Sequence, residues 1–205
     1  MMNTKGLTVS LAGLLAVSLL GTGRSAPTQA HGGKPPPTAA RVWQPDPTLF
    51  NQLGPGTHVE RYFVRPPQGY SFLQNKQGAL RAYLWKGPER QDGTSPGLFI
   101  VLATPPASAR RSLTAEKALA SFLQNQRHRR VNFSASPPEL GVVNGIPFVR
   151  SYWRGQDKQR GFPMHGWAYA AVDRGQLISL GSQDVDTAGR QSLDLAEAAA
   201  LTFHK

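Results

Sequence analysis

The sequence predicts an α+β domain: an antiparallel sheet of about six strands covered by two or more helices. Three observations lead there. Short runs of β-branched and aromatic residues recur between turn signals. Two segments with helical character interrupt those runs as whole blocks rather than alternating with single strands. Asn144-Gly145, the strongest short hairpin signal, sits between two apolar runs.

The N-terminus comes first. Lys5 precedes the apolar run Leu7 to Leu20, and the small and helix-breaking residues GTGRSAPTQA follow. This is the three-part pattern of a secretory signal peptide, with cleavage expected after Ala30 and Gly23 as the second choice. The competing reading is an uncleaved anchor, but the apolar run is shorter than the ~20 residues a spanning helix needs. No cysteine follows the run, so lipidation of the bacterial lipoprotein kind is excluded. Residues 31–57 are rich in Pro and Gly and read as an extended tether, with Trp43 and Phe50 as anchors that dock on the domain.

The domain is expected over residues 58–205. Val59 to Val64 reads as a strand, Arg65 to Gly69 as a turn and Tyr70 to Leu73 as a short strand. Leu80 to Lys86 alternates, as a strand with one buried face does. Leu98 to Thr104 is apolar on both faces, as a central strand should be. Thr114 suits a helix N-cap, with Glu116 in the first turn. Ala115, Ala118, Leu119, Phe122 and Leu123 make one apolar stripe behind it. Strands follow at Ile146 to Arg154, Pro163 to Val172 and Gln176 to Ser182, the last two joined at Asp173-Arg174-Gly175. An alanine-rich helix closes the chain from Asp194, which has capping-box spacing to Glu197.

The phrases Gln68-Gly69-Tyr70, LFIVLAT, VVNGIPFVRSYW, GWAYAAVDRGQLISL and AEAAALTF, in this order, resemble the family of the photosystem II extrinsic protein PsbP. That family's α/β/α sandwich is shared with Ran-binding Mog-type proteins and with many exported bacterial proteins of unknown role. The resemblance spans residues 58–205 and implies a non-enzymatic binding domain. It transfers no site residue.

Composition narrows the function classes. The chain of 205 residues contains no cysteine, which removes thiol nucleophiles, cysteine–zinc sites and thiol redox chemistry. Loss of Lys5 and Arg24 with the leader lowers the 23 basic residues by two against 12 acidic ones, so the net charge goes from +11 to +9. Such a charge favours anionic cell-envelope polymers or acidic proteins in a secreted or periplasmic setting, with nucleic acid not expected. The plainer reading of the charge is solubility alone.

No catalytic, cofactor or metal motif is present: there is no nucleophile elbow, phosphate loop, dinucleotide fingerprint or His-Glu-x-x-His. Asp184 to Gly189 begins like a calcium loop but has Ala188 and Leu195 where ligands are required, so it reads as a turn. Asn132-Phe133-Ser134 fits a glycosylation sequon, relevant only to a eukaryotic secretory route. His204 is expected at a frayed end. His165, Trp167 and Tyr169 share one strand face. They form either a site for a sugar or planar ligand, with His165 as general base in the enzymatic version, or a packing face. Arg150, Tyr152 and Arg154 share a face of the preceding strand. With Arg127, Arg129 and Arg130 at a helix end, and with Arg110, Arg111, Lys158 and Arg160, they form either a basic gripping surface or ordinary solvated edges.

Overall fold

Two left-handed turns set much of the topology seen in the computed structural model, which describes residues 41 to 205. The expected signal peptide and the first part of the expected tether lie outside the described residues. Asn144 and Gly145 (φ 45° and 80°), and Arg174 and Gly175 (φ 48° and 74°), both occupy the conformation that two-residue hairpins require. They join β8 (Glu139–Val143) to β9 (Ile146–Asp157), and β10 (Pro163–Asp173) to β11 (Gln176–Val185).

The other elements, in chain order, start with β1 (Arg41–Val42), a 3-10 turn (Pro47–Gln52), β2 (Thr57–Val59) and β3 (Tyr62–Val64). β4 (Ser71–Gln77), β5 (Leu80–Lys86) and β6 (Gly97–Ala103) follow, then the short α1 (Ala107–Arg110), α2 (Ala115–Arg129) and β7 (Arg130–Ala135). After β11 come a 3-10 turn (Asp186–Ala188) and α3 (Gln191–Leu201).

The main sheet has nine strands in the order β1-β8-β9-β10-β11-β6-β5-β4, with β7 also paired to β9. Nine replaces the expected six or so, and the reason is local. β9 is long enough to pair β8 along its first half and β7 along its second, with a bulge in β7. β7 starts directly at Arg130, the residue that ends α2, so no turn signal separates helix from strand. β1 has two residues and pairs with β8 in parallel, a contact without local sequence pattern.

α2 covers one face of the sheet over Val149, Trp153, Ala168, Ala170 and Leu177. α3 covers the other, where Phe148, Tyr169, Ile100, Ile178 and Leu180 form the larger core. The layers are helix, sheet, helix. Thr114 caps α2 as expected, accepting a hydrogen bond from Lys117 N.

Five local expectations are corrected. Residues 59–64 are not one strand: Glu60 (φ 57°) turns the chain into the β2–β3 hairpin, outside the main sheet. Residues 41–57 are not a tether but part of the folded unit, because Trp43 and Leu53 are buried in the core. Phe50, the other expected anchor, stays exposed beneath the Arg65 guanidinium. His204 is not frayed: its backbone exchanges both hydrogen bonds with Phe63. Finally, α3 starts at Gln191, so Asp194 lies within the helix and there is no capping box.

Candidate functional site

Alternation along β9 sends Phe148, Arg150, Tyr152 and Arg154 to the α3 face. On β10 it sends His165, Trp167, Tyr169 and Ala171 the same way, and Trp167 lies opposite Tyr152 in register. Arg150 is the centre of this face. Its guanidinium lies between two indoles, 4.3 Å from the Trp43 ring and 4.4 Å from the Trp167 ring. Arg150 Nε and Nη2 each donate to Glu139 Oε2 at 3.1 Å. Nη1 donates to Tyr169 Oη at 3.3 Å and to Glu197 Oε1 at 3.2 Å. Tyr169 in turn donates to Glu197 Oε1 at 2.6 Å.

Burial works against the Arg150 charge, but Tyr169, Glu139 and Glu197 outweigh it and hold the group above its ordinary value. Burial, followed by the Glu197 charge, pushes the Tyr169 phenol well up. Burial also raises Glu197 above the usual carboxylate range, against the pull of Tyr169 and Arg150. Each guanidinium nitrogen of Arg150 has an acceptor within the protein. Glu197 and Trp43 were missed from sequence as its members. The first looked like a capping residue and the second like a tether anchor.

Trp43 reaches this place because Gly141 admits it. A Cβ at Gly141 would lie 2.5 Å from Trp43 Cε2 and 2.7 Å from the Arg41 carbonyl. The parallel β1–β8 contact and the Trp43 N to Val142 O hydrogen bond of 2.9 Å hold the segment in place.

His165 is 1% exposed. The Tyr152 hydroxyl and the Asp186 carboxylate both face its Nδ1, at 2.8 Å and 3.2 Å, while Nε2 has no partner among the described residues. Burial lowers its pKa, with Asp186 acting the other way. Arg154 Nε donates to the Tyr152 hydroxyl at 3.2 Å. A general base must come within hydrogen-bond reach of a substrate proton. In this geometry the sealed ring meets Tyr152 and Asp186 instead, and it lines neither of the clefts described below.

Asp184, read from sequence as a turn residue, is completely buried at the end of β11. Arg90 binds both its oxygens at 2.7 Å, and Ser192 donates to it as well. This pair ties the loop after β5 to the start of α3.

The remaining candidates, Arg127, Arg129 and Arg130, lie across the sheet at the end of α2. Arg130 is buried over the Trp153 ring, 4.2 Å away, and donates to the Gln126 side chain and to Gln183. Burial brings its pKa down to about 10. Burial also lowers Arg129. The tip between β9 and β10 docks against them: Lys158 Nζ donates to the His128 carbonyl at 2.8 Å, and Arg160 reaches the Asp92 and Gly93 carbonyls. Arg127, Arg129, Lys158 and Arg160 therefore meet at one end of the sheet. None of them has a carboxylate within ion-pair distance among the described residues. At the opposite end Arg61, Arg81 and Lys205 are paired with Asp173 or Glu60. Arg110 stands at that opposite end, beside Gly175. The nine candidate residues thus divide into three groups: a buried Arg150–Trp167–Tyr169 network, a Tyr152–Arg154–His165 cluster beside it, and the basic α2 end.

Two clefts among the described residues bear on the site. The larger, about 460 Å³, lies between the 41–49 segment and α3. The smaller, about 250 Å³, lies by the β10–β11 turn. No group of three or more His, Asp or Glu is placed to hold a metal ion among the described residues, and no described helix is long and apolar enough to cross a membrane.

The fold defines the class: this is a PsbP-like α/β/α sandwich. The chain is similar to the solution structure of cyanobacterial PsbP (CyanoP) from Synechocystis sp. PCC 6803, with a TM-score of 0.51 and 15% identity over 87% of this chain and 99% of that one. It is also similar to LpqN of Mycobacterium tuberculosis, described as involved in cell envelope biogenesis (TM-score 0.49, 13% identity, 73% and 83% covered). A third similar structure is a Pseudomonas aeruginosa protein of unknown function (TM-score 0.44, 13% identity, 74% and 94% covered). No family model and no curated protein matches the chain. At these identities the likeness concerns the fold alone.

Proposed function

We propose that this protein is an exported, non-catalytic accessory domain that presents a basic end to an anionic partner of the cell envelope. One observation carries the reading: Arg127, Arg129, Lys158 and Arg160 gather at one end and none is within ion-pair distance of a carboxylate among the described residues, although Asp157 acts on Arg129 and Asp92 and Glu89 on Arg160 from further away, whereas Arg61, Arg81 and Lys205 at the other end are paired with Asp173 or Glu60. Unpaired guanidinium and ammonium groups set close together repel one another, and an anion placed among them relieves that repulsion. The leader in the sequence and the PsbP-like fold support an exported accessory role.

The test is cosedimentation of the protein with vesicles containing anionic lipid and with purified anionic wall polymer, titrated with salt. Binding is expected at low ionic strength and should fall as the charges are screened. Arg127→Glu combined with Lys158→Glu and Arg160→Glu, all at exposed positions, should abolish it while leaving the circular dichroism spectrum unchanged. Equal binding by wild type and triple variant, or no binding by either at low salt, would overturn the proposal.

A further inference from the structure

We propose that the cleft between residues 41–49 and α3 is a binding site for a neutral pyranose sugar. Its volume of about 460 Å³ falls within the range of about 300–1,000 Å³ typical of small-molecule clefts. Its wall carries Arg41, Gln44, Asp46, Asp194 and Glu197, a mixed set of donors and acceptors. Carboxylate, amide and guanidinium planes each present two polar atoms side by side, which matches adjacent ring hydroxyls that both donate and accept.

Three details favour a sugar over an ion. First, the charges nearly cancel. Asp46, Asp194 and Glu197 stand against Arg41 and Arg150 on the wall, and Arg190, outside it, lies 3.5 Å from Asp194, so the wall carries charges of both signs. Second, Glu197 has a free valence. Both of its hydrogen bonds among the described residues are accepted by Oε1, which leaves Oε2 for an incoming hydroxyl. Third, Val42, which is 62% exposed, and Leu49 supply an apolar strip beside the polar wall. A pyranose has that same division, with C–H bonds on one side and hydroxyls around the rim.

The site also has a rigid base. Arg150, fixed between two indoles and two carboxylates, orients Glu197, and Gly141 admits the Trp43 anchor that holds the 41–49 segment over α3. A preorganised wall reduces the ordering cost of binding a small polar ligand.

The experiment is an amide and indole chemical-shift titration of the full chain with glucose, N-acetylglucosamine, glucuronate and spermidine as separate probes. Glucose or N-acetylglucosamine should shift the Gln44, Asp194, Ala198 and Trp43 indole signals at millimolar concentration. Gln44→Ala and Asp194→Ala should each weaken the titration about tenfold, the loss expected for one polar contact. Gln44 is exposed, and Asp194 is half-buried on the helix surface with its side chain 43% exposed, so the variants should fold normally. Absence of shifts with both neutral sugars overturns the proposal. So does binding of spermidine alone. Shifts produced only by glucuronate, and located at Arg127, Arg129 and Lys158, would support the basic-end function and overturn the sugar site.

Discussion

Replacing Arg150 with Met tests the buried network most directly. Met keeps much of the side-chain length and can still lie between Trp43 and Trp167, so the change isolates the charge. The variant strands Glu197, whose side chain is 16% exposed and whose remaining partner is the Tyr169 hydroxyl. Removing one member of a buried ion pair typically costs about 3–5 kcal/mol. Glu139 contributes little, since its side chain is 45% exposed and returns to water.

The cost has a pH signature. Burial already raises Glu197 in the wild type, and loss of Arg150 raises it further. A carboxyl with a folded-state pKa above its unfolded value of about 4.3 binds protons more tightly in the folded state. Its burial penalty is absent at lower pH and grows as pH rises toward the folded pKa. Urea unfolding at pH 5, 7 and 8 should therefore show a deficit of about 3–5 kcal/mol at pH 8 and a clearly smaller one at pH 5. Adding Glu197→Gln should remove the pH dependence. A deficit below about 1 kcal/mol at pH 8, equal at pH 5, would refute the assignment of Arg150 as the charge that permits Glu197 to be buried.

Three further outcomes are expected. Gly141→Ala should cost about 1–3 kcal/mol and shift tryptophan emission to the red, because the new methyl displaces Trp43; unchanged emission would place Trp43 elsewhere. His165, lowered by burial, should make the protein lose stability as pH falls below about 6.5, where the unfolded chain takes up a proton that the folded ring resists. Urea midpoints at pH 7.5 and 5.5 should show less of this loss in His165→Gln, and an identical slope would count against it. Arg90→Leu should destabilise by about 3–5 kcal/mol because it leaves the fully buried Asp184 without its cation; a thermal melt within a degree of wild type would contradict that.

Much of the architecture was legible in local sequence, because its causes are local. Asn144-Gly145 specifies a left-handed two-residue turn wherever it occurs between apolar runs, and the structure has that turn. Thr114 caps α2, and the alternation of Phe148, Arg150 and Tyr152 against Val149, Ser151 and Trp153 puts these residues on the faces they occupy. The PsbP-like order of elements follows from such signals. The site was legible only in part. His165, Trp167 and Tyr169 do share a face, but the face is closed, because α3 covers it and Asp186 and Tyr152 occupy the imidazole.

What the sequence alone determined is most of the central strands, the helix α2, the two hairpin turns at 144–145 and 174–175 and the face each strand residue takes, since a strand period or a turn conformation needs only neighbours along the chain. What only the tertiary structure decided is which distant groups meet. Trp43 and Arg150 are 107 positions apart in numbering, and their stacking depends on a two-residue parallel strand and a glycine at 141. Glu197 looks like half of a capping box until α3 is placed, and then it is the carboxylate that Arg150 and Tyr169 hold. Arg127 and Arg150, alike as basic residues in the sequence, end on opposite sides of the sheet, one unpaired at the α2 end and one locked in the core. Long-range pairing leaves no local pattern, so whether a charge is free to bind a partner is settled only when the chain has folded.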